Sequence, residues 1–284
     1  MRTASERVSV KGREEWVFDV RIEGPPAGAP VVLLHGFPQD STCWDDLIDP
    51  LAAEGYRAIA PDLRGYSPGS RSGRVDDYSL DHLIEDVLDI ADDLDADTFH
   101  VVGYDWGGAL AWTLAARHSR RIPSLTSLST PHPKAFRQAL LTPAQALRSL
   151  YGLFFQIPIA PEKVLLAGDA YLFRQALQAS GLSPERANHY ARRMKEPDAL
   201  SCALAWYRAA LRNPPKGGGS TVTCPTLYVW GPSDPVLGRK AAEQTGRHVG
   251  GHYRFERLEG AGHWLPENEV DRVIGPLLDH LAAA

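Results

Sequence analysis

Residues 103–108, which read GYDWGG, constrain the fold of this chain more than any other feature. The preceding residues 98–102 are rich in β-branched and aromatic side chains and predict a strand, whereas residues 109–118 have helical composition. The flanking glycines permit a tight turn and a close approach of the helix. The pattern is that of a nucleophile elbow, which would present the carboxylate of Asp105 at the carboxyl edge of a sheet. The N-terminus of the following helix favours negative charge and is expected to keep that carboxylate ionised.

An aspartate at the tip of this turn restricts the chemistry that the site can perform. A serine there attacks a carbonyl and leaves a stable acyl ester, but a carboxylate attacking a carbonyl gives an anhydride, which is too reactive to be useful. A carboxylate that attacks a saturated carbon gives an alkyl ester, provided that the carbon carries a leaving group such as an epoxide oxygen or a halide. Because glycine and aspartate are common in ordinary turns, the motif alone is equally consistent with a chance turn. The rest of the chain weighs against that alternative.

The composition is that of an ordinary globular domain. The chain has 284 residues, of which 44% are hydrophobic and 23% are charged, enough for one large α/β domain with an insertion. The net charge of -5, without a block of like charges, argues against nucleic acid or an anionic membrane as a partner. No apolar run approaches a membrane span, and the polar residues 1–10 do not resemble a signal peptide. Three widely spaced cysteines indicate reduced thiols in the cytoplasm, and the excess of arginine over lysine suggests a GC-rich bacterial genome.

Apolar strands alternate with helices in two separate parts of the chain. This alternation predicts an α/β fold with a mostly parallel central sheet and helices on both faces. The predicted strands are an opening hairpin at 8–10 and 16–22, then 31–34, 56–60, 98–102, 122–129, 226–230 and 253–258, and the predicted helices of this part include 44–53, 81–94 and 109–118.

Residues 132–220 break this alternation. They contain helical segments without strands, and they end in the mixed stiff and flexible linker 214–220. We therefore predict a core formed by residues 1–131 and 221–284, into which residues 132–220 are inserted as a helical cap. The predicted cap helices are 135–141, 144–155, 165–178, 184–195 and 198–211.

Two further residues follow later strands and complete a candidate catalytic triad. Asp234 follows strand 226–230, although an aspartate before proline is also a common turn residue. His263 lies in a glycine-rich loop after strand 253–258, just before the terminal helix. The order nucleophile, acid, histidine at three strand ends predicts Asp105 as the nucleophile, Asp234 as the acid and His263 as the base.

The HGFP sequence at residues 35–38 follows the strand that should lie beside the elbow. The backbone N–H groups of Phe37 and Trp106 are expected to point at the Asp105 carbonyl and to form an oxyanion hole. Pro38 makes the turn rigid, and we expect a cis peptide bond before it. A generic strand-ending turn is the alternative interpretation of this segment.

Five motifs occur in order along the predicted core: HGFP at 35–38, DLRGY at 62–66, GYDWGG at 103–108, WGPSD at 230–234 and GAGHW at 260–264. With this set the chain resembles the aspartate-nucleophile α/β-hydrolases, which include epoxide hydrolases, haloalkane dehalogenases and fluoroacetate dehalogenases. The resemblance implies an α/β-hydrolase fold with a cap, a small apolar substrate, and neither a cofactor nor a metal. Departures are Tyr104, where epoxide hydrolases often have histidine, and residues 67–70, where glycine-x-serine is more usual. These departures leave the substrate preference open.

Two tyrosines of the predicted cap point to one branch of this family. Tyr151 lies in YGLFFQ and Tyr207 in WYR, which resemble the segments that carry two cap tyrosines in epoxide hydrolases. The resemblance implies that both phenols bind the epoxide oxygen and that one protonates it. Packing within the helical cap is the alternative role. A haloalkane dehalogenase usually has a donor such as asparagine where this chain has Phe37, and a fluoroacetate dehalogenase usually has arginine where this chain has Trp106.

The sequence therefore predicts a cofactor-independent epoxide hydrolase that forms a diol through a hydroxyalkyl ester on Asp105. A haloalkane dehalogenase and a non-catalytic ligand-binding protein on the same fold remain alternatives. Four residues are predicted to contact the substrate in an apolar pocket under the cap, namely His35, Pro38, Phe154 and Trp206.

Overall fold

A computed structural model of the chain describes residues 6–9, 16–213 and 221–284. Outside the described residues lie the predicted linker at 214–220 and residue 10, the predicted end of the first hairpin strand. Most of residues 1–10, which do not resemble a signal peptide, also lie outside them. Among the described residues, no helix is both long and apolar enough to cross a membrane.

The described residues form an eight-stranded sheet with the order β1-β2-β4-β3-β5-β6-β7-β8. Strand β2 runs antiparallel to both of its neighbours, and every other neighbouring pair is parallel. These pairs confirm the predicted mostly parallel sheet. The apolar runs of its central strands are buried, as is usual for parallel strands covered on both faces. The strands are β1 (Glu6–Ser9), β2 (Val17–Glu23), β3 (Pro30–Leu34), β4 (Arg57–Pro61), β5 (His100–Tyr104), β6 (Leu125–Leu128), β7 (Thr226–Trp230) and β8 (Tyr253–Arg257).

Among the described residues, three α-helices precede the insertion, namely α1 (Asp45–Ala53), α2 (Leu80–Asp93) and α3 (Trp106–Arg117). Helix α2 begins where the Ser79 side chain accepts a hydrogen bond from the backbone of His82, as expected of an N-cap. Its buried residues recur at helical spacing, and the helix contacts α3 and the edge strand β1.

The described residues between β6 and β7 form helices and no strand, as predicted. It contains α4 (Pro133–Leu140), α5 (Pro143–Arg148), α6 (Leu150–Phe154), α7 (Ala160–Ala179), α8 (Pro184–Met194) and α9 (Ala199–Arg212). The single helix predicted over 144–155 is wrong, because α5 and α6 meet at Ser149, whose hydroxyl accepts a hydrogen bond from Gln145 Nε2. The continuous helix predicted over 165–178 is also wrong, since residues 167–170 leave helical geometry. Gly168 and Asp169 there adopt the left-handed conformation that glycine and aspartate tolerate best. The predicted cap boundaries at 132 and 220 stay a prediction.

Helix α8 fixes this helical insertion to the core through charged groups. Its Arg193 contacts Asp40 at 3.1 Å and Asp62 at 2.8 Å, and both carboxylates are buried. The chain ends with α10 (Arg239–Gln244), α11 (Leu265–Asn268) and α12 (Val270–Ala282). The loops that follow β3, β5, β7 and β8 carry Phe37, Asp105, Asp234 and His263, respectively.

Candidate active site

The elbow after β5 holds Asp105 in a strained backbone conformation, with φ 51° and ψ -118°. The flanking glycines are required by space: a Cβ on Gly107 would lie 2.0 Å from the Leu34 carbonyl oxygen, and a Cβ on Gly103 would lie 2.3 Å from the Gly107 carbonyl oxygen. Thr130, at the end of β6, donates from Oγ1 to the Asp105 carbonyl oxygen at 2.8 Å. The surroundings thus maintain a conformation that aspartate would otherwise avoid.

Backbone donors surround the Asp105 carboxylate. The Phe37 N–H donates to Oδ1 at 2.9 Å, and the Trp106 N–H is also hydrogen-bonded to the carboxylate. Gly36 is packed against this group, because a Cβ there would lie 2.6 Å from Oδ1. The predicted cis peptide bond between Phe37 and Pro38 is confirmed. The structure thus brings together both residues predicted to form the oxyanion hole.

Asp234 and His263 lie beside this carboxylate. His263 Nδ1 is 2.8 Å from Asp234 Oδ2, and His263 Nε2 is 3.8 Å from Asp105 Oδ2. The other oxygen of Asp234 accepts hydrogen bonds from the backbone of Val236 at 2.7 Å and of Leu237 at 2.9 Å. The acid is therefore fixed on both oxygens, and it orients the imidazole with the free nitrogen towards Asp105.

Electrostatics favour a protonated His263. Burial lowers its pKa, but the charges of Asp234 and Asp105 outweigh burial and raise the pKa to about 9. Burial raises the pKa of Asp105, against the opposing effects of His263 and of the backbone N–H groups of Phe37 and Trp106. Burial thus shifts the pKa of Asp105 upwards, whereas the helix N-terminus alone was expected to keep this carboxylate ionised. The imidazolium of His263, between Asp105 and Asp234, compensates the negative charge of the two carboxylates.

The two predicted cap tyrosines lie next to each other. The ring centroids of Tyr151 on α6 and Tyr207 on α9 are 6.0 Å apart, and Tyr207 packs edge-on against Trp106 at 5.0 Å. Burial raises the pKa of Tyr151, and the charges of Asp105 and Asp234 raise it further. Burial raises the pKa of Tyr207 as well. Both phenols are therefore neutral hydrogen-bond donors at neutral pH.

A cavity of about 580 Å³ lies between the insertion and the core. Asp105, Trp106, Tyr151 and Tyr207 line it together, and most other lining side chains are apolar, including Leu83, Phe136, Leu140, Leu153, Ala210 and Leu237. The cavity size matches that of ordinary small-molecule sites. The arrangement gives one carboxylate and two phenols access to the same bound molecule.

Three of the four residues predicted to contact substrate do not line this cavity. Trp206 lines it, but His35, Pro38 and Phe154 do not. His35 is fully buried, with Nδ1 at 2.9 Å from the Gly36 carbonyl oxygen and Nε2 accepting from the Leu63 N–H at 3.0 Å. It therefore fixes the loop, and neither ring nitrogen is available to a ligand.

Three residues of the site carried no recognisable sequence motif. Thr130 lines the cavity and binds the elbow, while Gln145 and Arg148 of α5 hold the acid loop from the insertion side. Arg148 donates to the Asp234 carbonyl oxygen at 2.6 Å. A position directly after a strand was the one sequence clue to Thr130. Among the described residues, no group of three or more histidines, cysteines and acids is arranged to hold a metal ion.

Comparisons with known proteins agree with this geometry. A family model described as alpha/beta hydrolase fold matches residues 29–270. The AB hydrolase superfamily protein YfhM of Bacillus subtilis is 34% identical, over 92% of this chain and 93% of that protein. Epoxide hydrolase A of Mycobacterium tuberculosis is 31% identical, over 92% of each chain. A solved structure described among novel epoxide hydrolases in metagenomes from hot environments is 29% identical, with a TM-score of 0.85 over 99% of this chain and 100% of that one.

Proposed function

The chain belongs to the family of proteins with the alpha/beta hydrolase fold, and we propose that within it the chain is an epoxide hydrolase that converts an apolar epoxide into a vicinal diol. The observation that carries this proposal is a carboxylate, Asp105, that lines one cavity together with two adjacent phenols, Tyr151 and Tyr207. The similarity to a protein named epoxide hydrolase over 92% of both chains supports it. The proposed reaction uses only side chains, backbone N–H groups and water.

In the proposed first step, Asp105 opens the epoxide ring. Its Oδ1 is held by the Phe37 N–H, so Oδ2 is the oxygen that attacks an epoxide carbon. The carbon–oxygen bond of the ring breaks, and its electron pair goes to the epoxide oxygen. Tyr151 or Tyr207 gives that oxygen a proton and becomes a tyrosinate. The product of this step is a hydroxyalkyl ester on Asp105.

In the proposed second step, water hydrolyses the ester. Alkylation removes the charge of Asp105, which is one of the causes of the raised pKa of His263, so the imidazole then loses its proton more easily. Neutral His263, oriented by Asp234, takes a proton from water as the oxygen attacks the ester carbonyl. His263 then gives that proton to the diol oxygen as the bond from this oxygen to the ester carbonyl carbon breaks. The second proton of the water returns to the tyrosinate, the proton that His263 released earlier returns to the imidazole, and the carboxylate is restored.

The oxyanion of this second step forms on Oδ1, to which the Phe37 N–H already donates, and the Trp106 N–H is hydrogen-bonded to the same carboxylate. Donors that are already in place when charge develops stabilise it without reorganisation, and the loss of one typically costs on the order of 100- to 1000-fold in rate. The strained elbow and the packed Gly36 hold the carboxylate in this position.

The same geometry argues against halide as the leaving group. A halide needs N–H donors aimed at it, but Phe37 has no donor side chain, and the Trp106 side chain is hydrogen-bonded to the Tyr207 phenol. The phenols of Tyr151 and Tyr207, which line the cavity together with Asp105, can instead give an alkoxide the proton that it needs.

The test uses purified wild type and Asp105→Asn with a panel of aryl and alkyl epoxides and haloalkanes, and measures diol and halide together. Diol from wild type and none from the variant is the expected result. Halide without diol would move the assignment to haloalkane dehalogenation, and neither product would leave a binding role on this fold.

The proposal extends to a cytoplasmic location in a bacterial cell. The three cysteines, Cys43, Cys202 and Cys224, are free and buried, which fits a reducing compartment. The two relatives from Bacillus subtilis and Mycobacterium tuberculosis are bacterial. Recovery of the protein with the membrane or secreted fraction of its host would contradict this location.

A further inference from the structure

A group of buried polar atoms lies beside His263 and outside the substrate cavity. Gln39, in the loop after β3, donates from Nε2 to Glu267 Oε1 at 2.7 Å, and the Tyr190 hydroxyl donates to the same oxygen at 3.0 Å. Three further atoms, namely Gln39 Oε1, Glu267 Oε2 and the Tyr104 hydroxyl oxygen, are buried and have no hydrogen-bond partner within the described part of the chain. Buried polar atoms are normally satisfied by protein or by an internal water molecule.

Charge and packing link this group to the proposed catalytic base. The ring of Tyr104 lies 5.2 Å from that of His263, centroid to centroid. Burial raises the pKa of Tyr104, and the charge of Glu267 raises it further, ahead of that of Asp105. The indole nitrogen of Trp44 is another buried atom without a partner, and Trp44 belongs to the turn that packs against α11, the helix that carries Glu267.

Glu267 also reaches the protein surface on a side different from the substrate cavity. It lines a depression formed by α1, α11 and the start of α12, whose acidic members are Asp45, Asp46, Asp49 and Asp271. None of these residues lines the cavity that contains Asp105. Glu267 thus connects the buried group on one side with the solvent-facing depression on the other.

The second step of the proposed reaction needs such a connection. While the ester occupies the apolar cavity between Asp105 and the two phenols, water has poor access to His263 from that side. The imidazolium of the resting protein must also lose its proton before it can act as a base. A polar route that avoids the substrate meets both needs at once.

On the basis of the proposed function, we propose that Gln39 and Glu267, together with Tyr104 and Trp44, hold an internal chain of water molecules that supplies the hydrolytic water to His263 from the acidic depression. Glu267 is a positioning residue in this scheme, because it acts through water and His263 and does not touch the substrate. Each turnover consumes one water molecule. Its oxygen forms a bond to the ester carbonyl carbon, and the bond from that carbon to the diol oxygen breaks. One proton of the water passes through His263 to the diol oxygen, and the other returns to the tyrosinate.

The variants Glu267→Leu and Gln39→Leu test this inference, because leucine has a similar size and no polar atom. Stopped-flow mixing with an epoxide that the wild type turns over separates the rate of ester formation from the rate of ester hydrolysis. Both variants are expected to slow hydrolysis on the order of 10- to 100-fold and to accumulate the ester, with ring opening close to that of wild type. Glu267→Gln keeps the size and a hydrogen-bonding oxygen and is expected to restore most of the hydrolysis rate.

Glu269→Leu is the matched control, since Glu269 lies two residues further on and its carboxylate binds Arg272 at 2.8 Å on the surface. It is expected to leave both rates unchanged. Unchanged hydrolysis in Glu267→Leu, or an equal loss in both steps with a lowered melting temperature, overturns the inference.

A crystal structure of the wild type separates this inference from the proposed function. Ordered water within hydrogen-bonding distance of Gln39 Oε1 and Glu267 Oε2 is expected whether or not an epoxide is turned over. Direct protein contacts to these oxygens with no water would overturn the inference even for an active epoxide hydrolase. A wild type that forms no diol would instead refute the proposed function.

Discussion

Gly36→Ala is predicted to disable the nucleophile while the fold remains. A Cβ at this position would lie 2.3 Å from the Asp105 Cβ and 2.6 Å from Oδ1, whereas ordinary van der Waals contact begins at 3.4 Å. The carboxylate therefore has to move by about 1 Å, and a misplacement of about that size can cost on the order of 100-fold in rate. Overpacking at a buried site costs about 1–3 kcal/mol of stability, which an ordinary domain tolerates.

The assay combines initial rates of diol formation with thermal unfolding. Gly262→Ala is the control, because Gly262 adjoins His263 and a Cβ there meets nothing within 4 Å. We expect Gly36→Ala to lose about 100-fold or more in kcat/KM and Gly262→Ala to remain close to wild type. A Gly36→Ala variant that turns over at the wild-type rate would refute the claim that this glycine holds the carboxylate in its reactive position.

Three further predictions follow from the site. Tyr151→Phe and Tyr207→Phe should each slow ring opening less than the double variant does. The double variant should open the ring on the order of 100- to 10,000-fold more slowly than wild type, because no acid remains. Ring opening at the wild-type rate in all three variants would assign the phenols to packing. Asp234→Asn should leave ring opening largely intact but slow ester hydrolysis by up to about 10,000-fold, as the loss of the acid does in serine triads. Single-turnover kinetics that show slowed ring opening with unchanged hydrolysis would contradict this role of Asp234. The rate of ring opening should fall as the pH drops through the raised pKa of Asp105, because only the carboxylate attacks. The rate of ester hydrolysis should rise with pH and level off below about pH 9, since the ester lacks one of the charges that raise the pKa of His263. Separate pH profiles of the two steps test this, and ring opening that rises towards acid pH or hydrolysis that falls with rising pH would contradict it.

Local backbone chemistry explains why the elbow could be predicted from the sequence. Gly103 is required by contacts within the strand–turn–helix unit itself, and Gly107 by the close approach of Leu34 at the end of the neighbouring strand β3, so the spacing of the two glycines carries the information. The acid and the histidine were predictable for a related reason, because parallel strands place their carboxyl ends at one edge of a sheet. Asp234 and His263 follow β7 and β8, which are neighbours in that sheet.

Side-chain direction and long-range packing explain what the sequence did not predict. His35 and Pro38 adjoin the site in sequence, but neither lines the cavity. Both ring nitrogens of His35 lie within hydrogen-bonding distance of the backbone of Gly36 and Leu63. Gln145 donates a hydrogen bond to Ser149 where α5 ends, and its other hydrogen bonds are with Val236 and Gly238 in the loop after β7, which is distant in the chain. Glu267 showed no motif at all, because its environment is formed by elements distant in the chain.

The measurement that tests the central claim most directly is the intact mass of His263→Gln after mixing with an epoxide that the wild type hydrolyses. Ring opening needs Asp105 and the phenols, whereas release of the product needs the histidine, so the account predicts a stable mass increase equal to one epoxide. Peptide mapping should place it on Asp105, and the double variant with Asp105→Asn should show none. Diol formation at the wild-type rate without an adduct, or an adduct on another residue, would contradict a covalent ester on Asp105.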